Sequence, residues 1–308
     1  IRLMARTVTP THSKKARRRE PIRMAFVLVP QFPMLAFASA IEPLRAANRL
    51  AEETLFEWTL ATVDGKPVCA SNGIEIAAQQ SLEILSRPDM VVVCAGLEPL
   101  QFGRTHAIHH QLRRIARHGA KVGAISSGAF ILADAGLLTD RRATVHWEYA
   151  ELFRTRFPQV RLTRALYVVD RDVFTCSGGT AALDMMSYFI GQEFGASLAH
   201  TVAEQFIHPR IRGTEEAQRA EIPDRYAIGS ARLAKAIELM ESALDAPLPL
   251  REIAKQVGVS TRQIERLFVD ELQIAPTAFY RQRRLERART LLRETLQPVR
   301  EVALESGF

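Results

Sequence analysis

The sequence predicts an α/β domain built on a doubly wound parallel sheet, followed by an all-α domain of repeated helical pairs, the second of them incomplete. Three observations predict it. Over residues 24–207, short runs that are apolar throughout alternate with helical periodicity, the pattern of strands covered on both faces and joined by helices. Periodicity fails between His208 and Arg225, where Pro209, Gly213, Pro223 and a mixed charge run fall together. Beyond that break, the stretch from Pro249 to Val259 recurs as Pro298 to Phe308. The chain therefore divides into a basic tail (1–23), the α/β domain (24–207), a linker (208–228) and the helical domain (229–308).

In the first domain, Met24 to Val29 is an apolar strand, Ala38 to Leu50 an amphipathic helix and Phe56 to Val63 a second strand. Met90 to Cys94 reads as a buried strand, His106 to His118 as a helix, Lys121 to Ile125 as a strand and Ala129 to Leu138 as a helix. Short strands follow at Ala143 to Val145, Leu166 to Asp170 and Val173 to Cys176, then one long helical stretch from Ala181 to about Phe206.

Ligands of such sheets bind beyond the carboxyl ends of the strands, and three turns there carry chemistry. One strand ends in Ala95-Gly96. Another runs through Ser126-Ser127-Gly128 directly into a helix, so that N–H groups at the helix start would face a bound anion or carbonyl. Thr144-Val145-His146-Trp147 sets an imidazole and an indole after the next strand. Cys176 and Gly178 close the set at the end of the last strand.

The helical domain can be argued from packing. Two helices crossing steeply need a small residue at the crossing and a residue tolerant of positive φ in the turn, and Ala254 and Gly258 supply them. Leu250, Ile253 and Val257 hide one face of the first helix; Ile264, Leu267 and Phe268 do so on the second, behind the N-cap Ser260. The exposed face is Thr261, Arg262, Gln263, Glu265 and Arg266, which can reach base edges and phosphates if the helix lies in a major groove. Pro276 to Arg293 then reads as one long helix with Phe279, Leu285, Ala288, Leu291 and Leu292 turned inward. Residues 281–293 hold six Arg against one Glu, and in that stripe Arg281 and Arg284 are placed to neutralise phosphates. The partial repeat makes these tandem helix-turn-helix units, the second truncated after Phe308. Val299, Val302, Ala303 and Phe308 are then expected to be exposed, and this 308-residue chain is expected to bind its operator weakly.

Composition bounds the rest. At 47% hydrophobic and 24% charged, 308 residues suit a two-domain globular protein. No apolar run is long enough to span a bilayer, so no membrane partner is expected. Cys69, Cys94 and Cys176 are odd in number and lack metal-type spacing, so no disulfide framework, metal or cofactor is implied, and a cytoplasmic protein fits. The formal charge of +7 comes from the tail, where eight Lys or Arg face one Glu. The tail is therefore expected to be disordered, either folding against DNA or reflecting an upstream start ahead of Met24.

Residues 229–308 resemble the AraC/XylS-type DNA-binding domain. The run Ser126-Ser127-Gly128, Leu132 to Leu138, His146-Trp147 and Thr175 to Asp184 resembles the ThiJ/PfpI branch of the class I glutamine amidotransferase-like, flavodoxin-like fold. Together the chain is similar to the GlxA-type regulators, and Ser39 to Asn48 with Ala70 to Ile74 is similar to the branch sensing arginine, glycine betaine or carnitine. That resemblance implies a transcriptional regulator, an activator, with promoter DNA, RNA polymerase and a small nitrogen-containing effector as partners, and a homodimer through the sheet domain. The candidate effector residues are Glu42, Gly96, Ser126, Ser127, His146, Trp147, Cys176 and Gly178. Glu42 would neutralise a cation, stand as a helix-terminal charge or hydrogen-bond His146, Trp147 would offer a π face or pack in the core, and Ser127 or the elbow N–H groups would hold a carboxylate. Catalytic members carry a cysteine where this chain has Ser126. The sequence Ala124 to Gly128 lacks the first glycine of a serine-nucleophile elbow, and the acid position falls near Ala36, so no catalytic residue is assigned. Two other readings stay open: a serine-dependent hydrolase with a DNA-binding tail, and a constitutive DNA-binding protein whose sheet domain only dimerises.

Overall fold

The computed structural model describes residues 20–97, 106–219, 221–295 and 297–308; most of the basic tail lies outside them. The strands are β1 (Ile22–Leu28), β2 (Phe56–Thr62), β3 (Val68–Cys69), β4 (Glu75–Ile76), β5 (Gln80–Ser81), β6 (Met90–Ala95), β7 (Lys121–Ser126), β8 (Arg142–Ala143), β9 (Arg161–Leu162), β10 (Tyr167–Asp170) and β11 (Val173–Cys176). Seven of them form one sheet in the order β10-β11-β7-β6-β1-β2-β5. All neighbours in it run parallel except β10, which pairs antiparallel with β11 at the edge. The helices of this domain are α1 (Met34–Ala51), α2 (His106–Arg117), α3 (Gly128–Asp134), α4 (Ala150–Arg156), α5 (Ala181–Phe194) and α6 (Ala196–Gln205).

Alternation along β1 shows why its residues are apolar throughout. Met24, Phe26 and Leu28 belong to one core cluster with residues of α1, α5 and α6, whereas Ala25, Val27 and Val29 belong to a second with α2, α3 and α4. Each face of the central strands thus meets its own helical layer. Gly123 of β7 leaves room for the Phe174 ring, which lies 2.0 Å from where a Cβ would stand.

Two helices differ from expectation. The stretch expected as one helix from Ala181 to Phe206 breaks at Gly195, whose φ of +97° no helix continues through. The helix expected to reach Leu138 ends at Asp134, before a turn in which Gly136 adopts φ +75°.

The segment expected as a linker is structured and bound at both ends. Asp184 of α5 has no exposed surface and collects His208 Nε2 at 2.7 Å, the Arg212 backbone N–H at 2.7 Å and the Arg212 Nε at 2.9 Å. Further on, Leu166 N–H donates to Glu216 O, Ala217 bridges Ala165, and Gln218 Nε2 donates to Thr144 Oγ1 and Val145 O at 2.8 and 2.9 Å. From Ile222 the chain belongs to the other domain: α7 (Ile222–Tyr226) packs there through the Arg225–Glu241 ion pair at 2.5 Å and the Tyr226–Phe279 ring contact.

That domain comprises α8 (Ala231–Ser242), α9 (Leu250–Val257), α10 (Thr261–Leu272), α11 (Pro276–Glu294) and α12 (Val299–Glu305). Leu233, Ile237, Ile253, Ile264, Phe268 and Phe279 form its core. Phe279 and Leu291 of α11 are buried as expected, but Leu285 and Leu292 are exposed. Seven residues apart on one helix, they share a stripe that α12 does not cover, while α12 lies against the stripe of Arg284 and Leu291. Val299 and Phe308 are exposed as expected; Val302 is buried, because α12 docks with Gly307 against Pro247 and Leu244. No helix among the described residues is long and apolar enough to cross a membrane.

Removing the Asp184 carboxylate leaves His208 and Arg212 without their shared partner. Asp184→Ala is expected to lower stability by about 3–5 kcal/mol in denaturant unfolding, and a change within error would show that this hub does not hold the segment.

Candidate effector pocket and DNA interface

Five of the eight candidate effector residues meet at the carboxyl ends of β6, β7 and β11. Ser126 is the last residue of β7, beside Ala95 of β6, and takes the left-handed conformation, φ +59°. A non-glycine residue there is strained by about 1–2 kcal/mol, and such strain clusters where a side chain must be presented on a sharp strand-to-helix turn. Gly178, φ +98°, leaves the space: a Cβ on it would stand 3.0 Å from Ser126 Cβ. The sharp strand-to-helix turn that presents a nucleophile is therefore kept at Ser126. Among the described residues no hydrogen bond joins Ser126 to His146, whose Nδ1 accepts from Glu148 N–H.

Ser127 is fully buried, and its hydroxyl donates to Gly96 O at 2.5 Å. Its expected role on a ligand carboxylate is thus taken by a contact that ties the β7 elbow to the β6 turn. Gly96 itself packs on the Gln31–Pro33 turn, where a Cβ would meet Gln31 O at 2.2 Å. Cys176 lies beneath the elbow, its Sγ accepting from Gly178 N–H at 3.4 Å, and burial pushes its thiol up to about 12. It is a small apolar filler rather than a ligand group, as is Cys94.

His146 and Trp147 are held beside this floor by Thr144, whose N–H donates to Thr175 Oγ1 at 2.8 Å. The His146 ring stacks obliquely on Trp147, with centroids 5.4 Å apart, and its Nδ1 accepts from Glu148 N–H at 3.5 Å. Burial lowers its pKa, partly opposed by the Glu148 carboxylate. Trp147 is not a core residue: its side chain is 42% exposed, and the Arg219 guanidinium lies over its ring at 4.2 Å. Glu42 stands apart. Its carboxylate is ion-paired with Arg45 at 2.6 Å on the half-exposed face of α1, so neither the hydrogen bond to His146 nor a free carboxylate for a cation is found. Among the described residues no cluster of three or more His, Cys, Asp or Glu could hold a metal.

In the helical domain, Gly258 caps α9 at φ +77°, and Ser260 forms a capping box with Gln263, whose Oε1 accepts from Ser260 N–H at 2.8 Å. Those two residues fix the start of α10 rather than standing free. Thr261, Arg262, Glu265 and Arg266 are exposed on one face, and the two arginines, four apart, have no ion-pair partner among the described residues. Arg281 is exposed likewise. Arg284 is not: its guanidinium donates to Ser306 O at 3.0 Å and to Gly307 O, and covers the Phe308 ring at 4.0 Å. It locks α12 onto α11 instead of facing outward.

Sequence reasoning missed Arg219, Gln218 and the Arg212–Asp184 pair. Their partners lie 28 to 74 residues away in the chain, so no local spacing marks them.

The chain matches the DJ-1/PfpI family over residues 27–192 and a helix-turn-helix domain family over residues 253–308. It is 41% identical to the HTH-type transcriptional regulator CdhR of Pseudomonas aeruginosa, over 92% of this chain and 84% of that protein. It is 37% identical to the HTH-type transcriptional regulator GlxA of Rhizobium meliloti, over 93% of this chain and 88% of that protein. The crystal structure of an AraC family transcriptional regulator from Pseudomonas putida superimposes with a TM-score of 0.56 at 31% identity, covering 60% of this chain and all of that one.

Because burial lowers the His146 pKa, the unfolded chain takes up a proton that the folded chain refuses as pH falls below about 6.5. Stability from this source is complete above that pH and is lost on acidification. His146→Asn is expected to flatten the decline in Tm between about pH 7.5 and 5.5, and parallel curves would contradict the assignment.

Proposed function

We infer the function from a family premise: the chain belongs to the DJ-1/PfpI family and, over most of its length, to the HTH-type transcriptional regulators. It is a DNA-binding regulator rather than an enzyme. We propose that its α/β domain senses a small nitrogen-containing metabolite, an amino acid or quaternary-ammonium compound, and that binding controls promoter recognition. One observation carries the effector class: the exposed indole of Trp147 already holds a guanidinium at 4.2 Å, so the loop is built to accept a cation over a π face. His146, kept neutral by burial, supplies a hydrogen-bonding group beside it without adding a repelling charge.

On the DNA side, Arg262 and Arg266 are the proposed base readers, with Thr261 and Glu265 alongside; Ser260 and Gln263 set the helix start. Arg281 is the proposed phosphate contact. The protein is proposed to act in the cytoplasm as a homodimeric activator that engages RNA polymerase at its promoter. The identity to HTH-type transcriptional regulators over most of the chain supports this reading.

Footprinting of the promoter with and without betaines, carnitine and amino acids tests it. Arg262→Ala or Arg266→Ala is expected to weaken specific binding by about 1–3 kcal/mol for each guanine no longer read, whereas Arg281→Ala weakens all sequences alike and lowers the salt slope by about 1. No specific footprint under any of these compounds would end the proposal. A thermal-shift screen finds the effector, since a ligand at about 100 times its Kd adds about 2.7 kcal/mol to stability.

A further inference from the structure

Between the two domains the chain crosses over few residues. Gln218 is still hydrogen-bonded to Thr144 and Val145 of the α/β domain, while Arg225 and Tyr226 are already bound to Glu241 of the helical domain. Arg219 stands at this crossing with its guanidinium over Trp147 at 4.2 Å. The charges acting on it come from the far side. Burial and the Arg225 cation pull its pKa down, Glu241 and Tyr226 push it back up, and Arg283 of α11 pulls it down again. Arg225 is paired with Glu241 and Arg283 with Glu286, and among the described residues no carboxylate pairs with Arg219.

Arg219 is thus a partly desolvated cation held over an aromatic face, in the mixed field of Arg225, Glu241 and Arg283. A π face attracts any cation that reaches it, so an ammonium or guanidinium on a small molecule competes with Arg219 for the same position. We propose that the face of Trp147 is the effector's cation seat and that Arg219 is its resident occupant. An organic cation arriving there displaces Arg219 and frees the crossing between the domains. The proposal rests on the effector reading above and names the seat and the consequence of filling it. It also gives the two domains a shared part: the same guanidinium that closes the seat lies among the charges anchoring α7 and α11. Binding in the pocket then changes how the helix-turn-helix unit is held, without the effector touching DNA.

Calorimetric titration of the full chain with glycine betaine, and with 3,3-dimethylbutanoate, which has the same shape without the cation, tests the seat. Freed of the internal competitor, Arg219→Ala is expected to bind betaine about three- to tenfold more tightly than the wild type. Arg219→Lys stays near the wild type, Trp147→Phe retains binding, Trp147→Ala loses it, and the isostere lacking the cation gains nothing from Arg219→Ala. Both substituted side chains lie at the surface or the crossing, and a thermal melt of each variant confirms that it folds. Amide exchange over residues 222–228 supplies the second readout: betaine-saturated wild type is expected to exchange as fast as unliganded Arg219→Ala, and faster than unliganded wild type. Equal betaine affinity in wild type, Arg219→Ala and Trp147→Ala would overturn the seat and leave the effector class standing. Unchanged exchange in Arg219→Ala would overturn the release of the crossing. If neither wild type nor Arg219→Ala binds betaine, carnitine or arginine, the effector class falls and the competition falls with it.

Discussion

A carboxylate taken wholly out of water costs several kcal/mol unless donors surround it, and the fold offsets that cost for Asp184 with groups from one later segment. His208 and Arg212 both close on it, and Arg212 reaches on to Thr180 at 2.8 Å. Two anchors four residues apart fix the direction in which the chain leaves α6. Glu216 and Gln218 then fall against Leu166 and Thr144, and Arg219 falls over Trp147. The Asp184 hub and the Gln218 bonds together set the path of the crossing that brings Arg219 over the indole.

The elbow at Ser126 is held by equally close packing. Left-handed backbone at a serine survives because Gly178 leaves room and Ser127 pins the turn to Gly96. The strained geometry that presents a nucleophile persists, while the thiols nearby, Cys94 and Cys176, are buried and kept protonated. What remains is a rigid floor with a neutral imidazole and an exposed indole at its rim, which suits recognition better than reaction.

The sheet was legible because burial on both faces leaves no room for polar residues in β1, β6 or β7, and the helix-turn-helix because Ala254, Gly258 and Ser260 have few substitutes at a steep helix crossing. The elbow and its glycine could be read for the same reason. Hydrogen bonds made by polar side chains across long separations could not. A segment with Pro209, Gly213 and Pro223 has the composition of a loose linker, and the buried acid on α5, with the bonds of Glu216 and Gln218 to the sheet domain, turns it into a bound strap. In the basic stripe of α11, spacing cannot tell Arg281, which faces outward, from Arg284, which is bound to Ser306 O and Gly307 O. Leu285 and Leu292 have the periodicity of core residues on a helix that is covered along only part of its surface.

If filling the pocket controls DNA binding, the coupling free energy between the two sites is reciprocal. The most direct measurement is the effector's Kd for the free protein and for the protein on its operator, set beside the operator's Kd with and without saturating effector. Both ratios are expected to differ from one, by about 5- to 150-fold, and to be equal. An effector that binds free and operator-bound protein with the same affinity would contradict it.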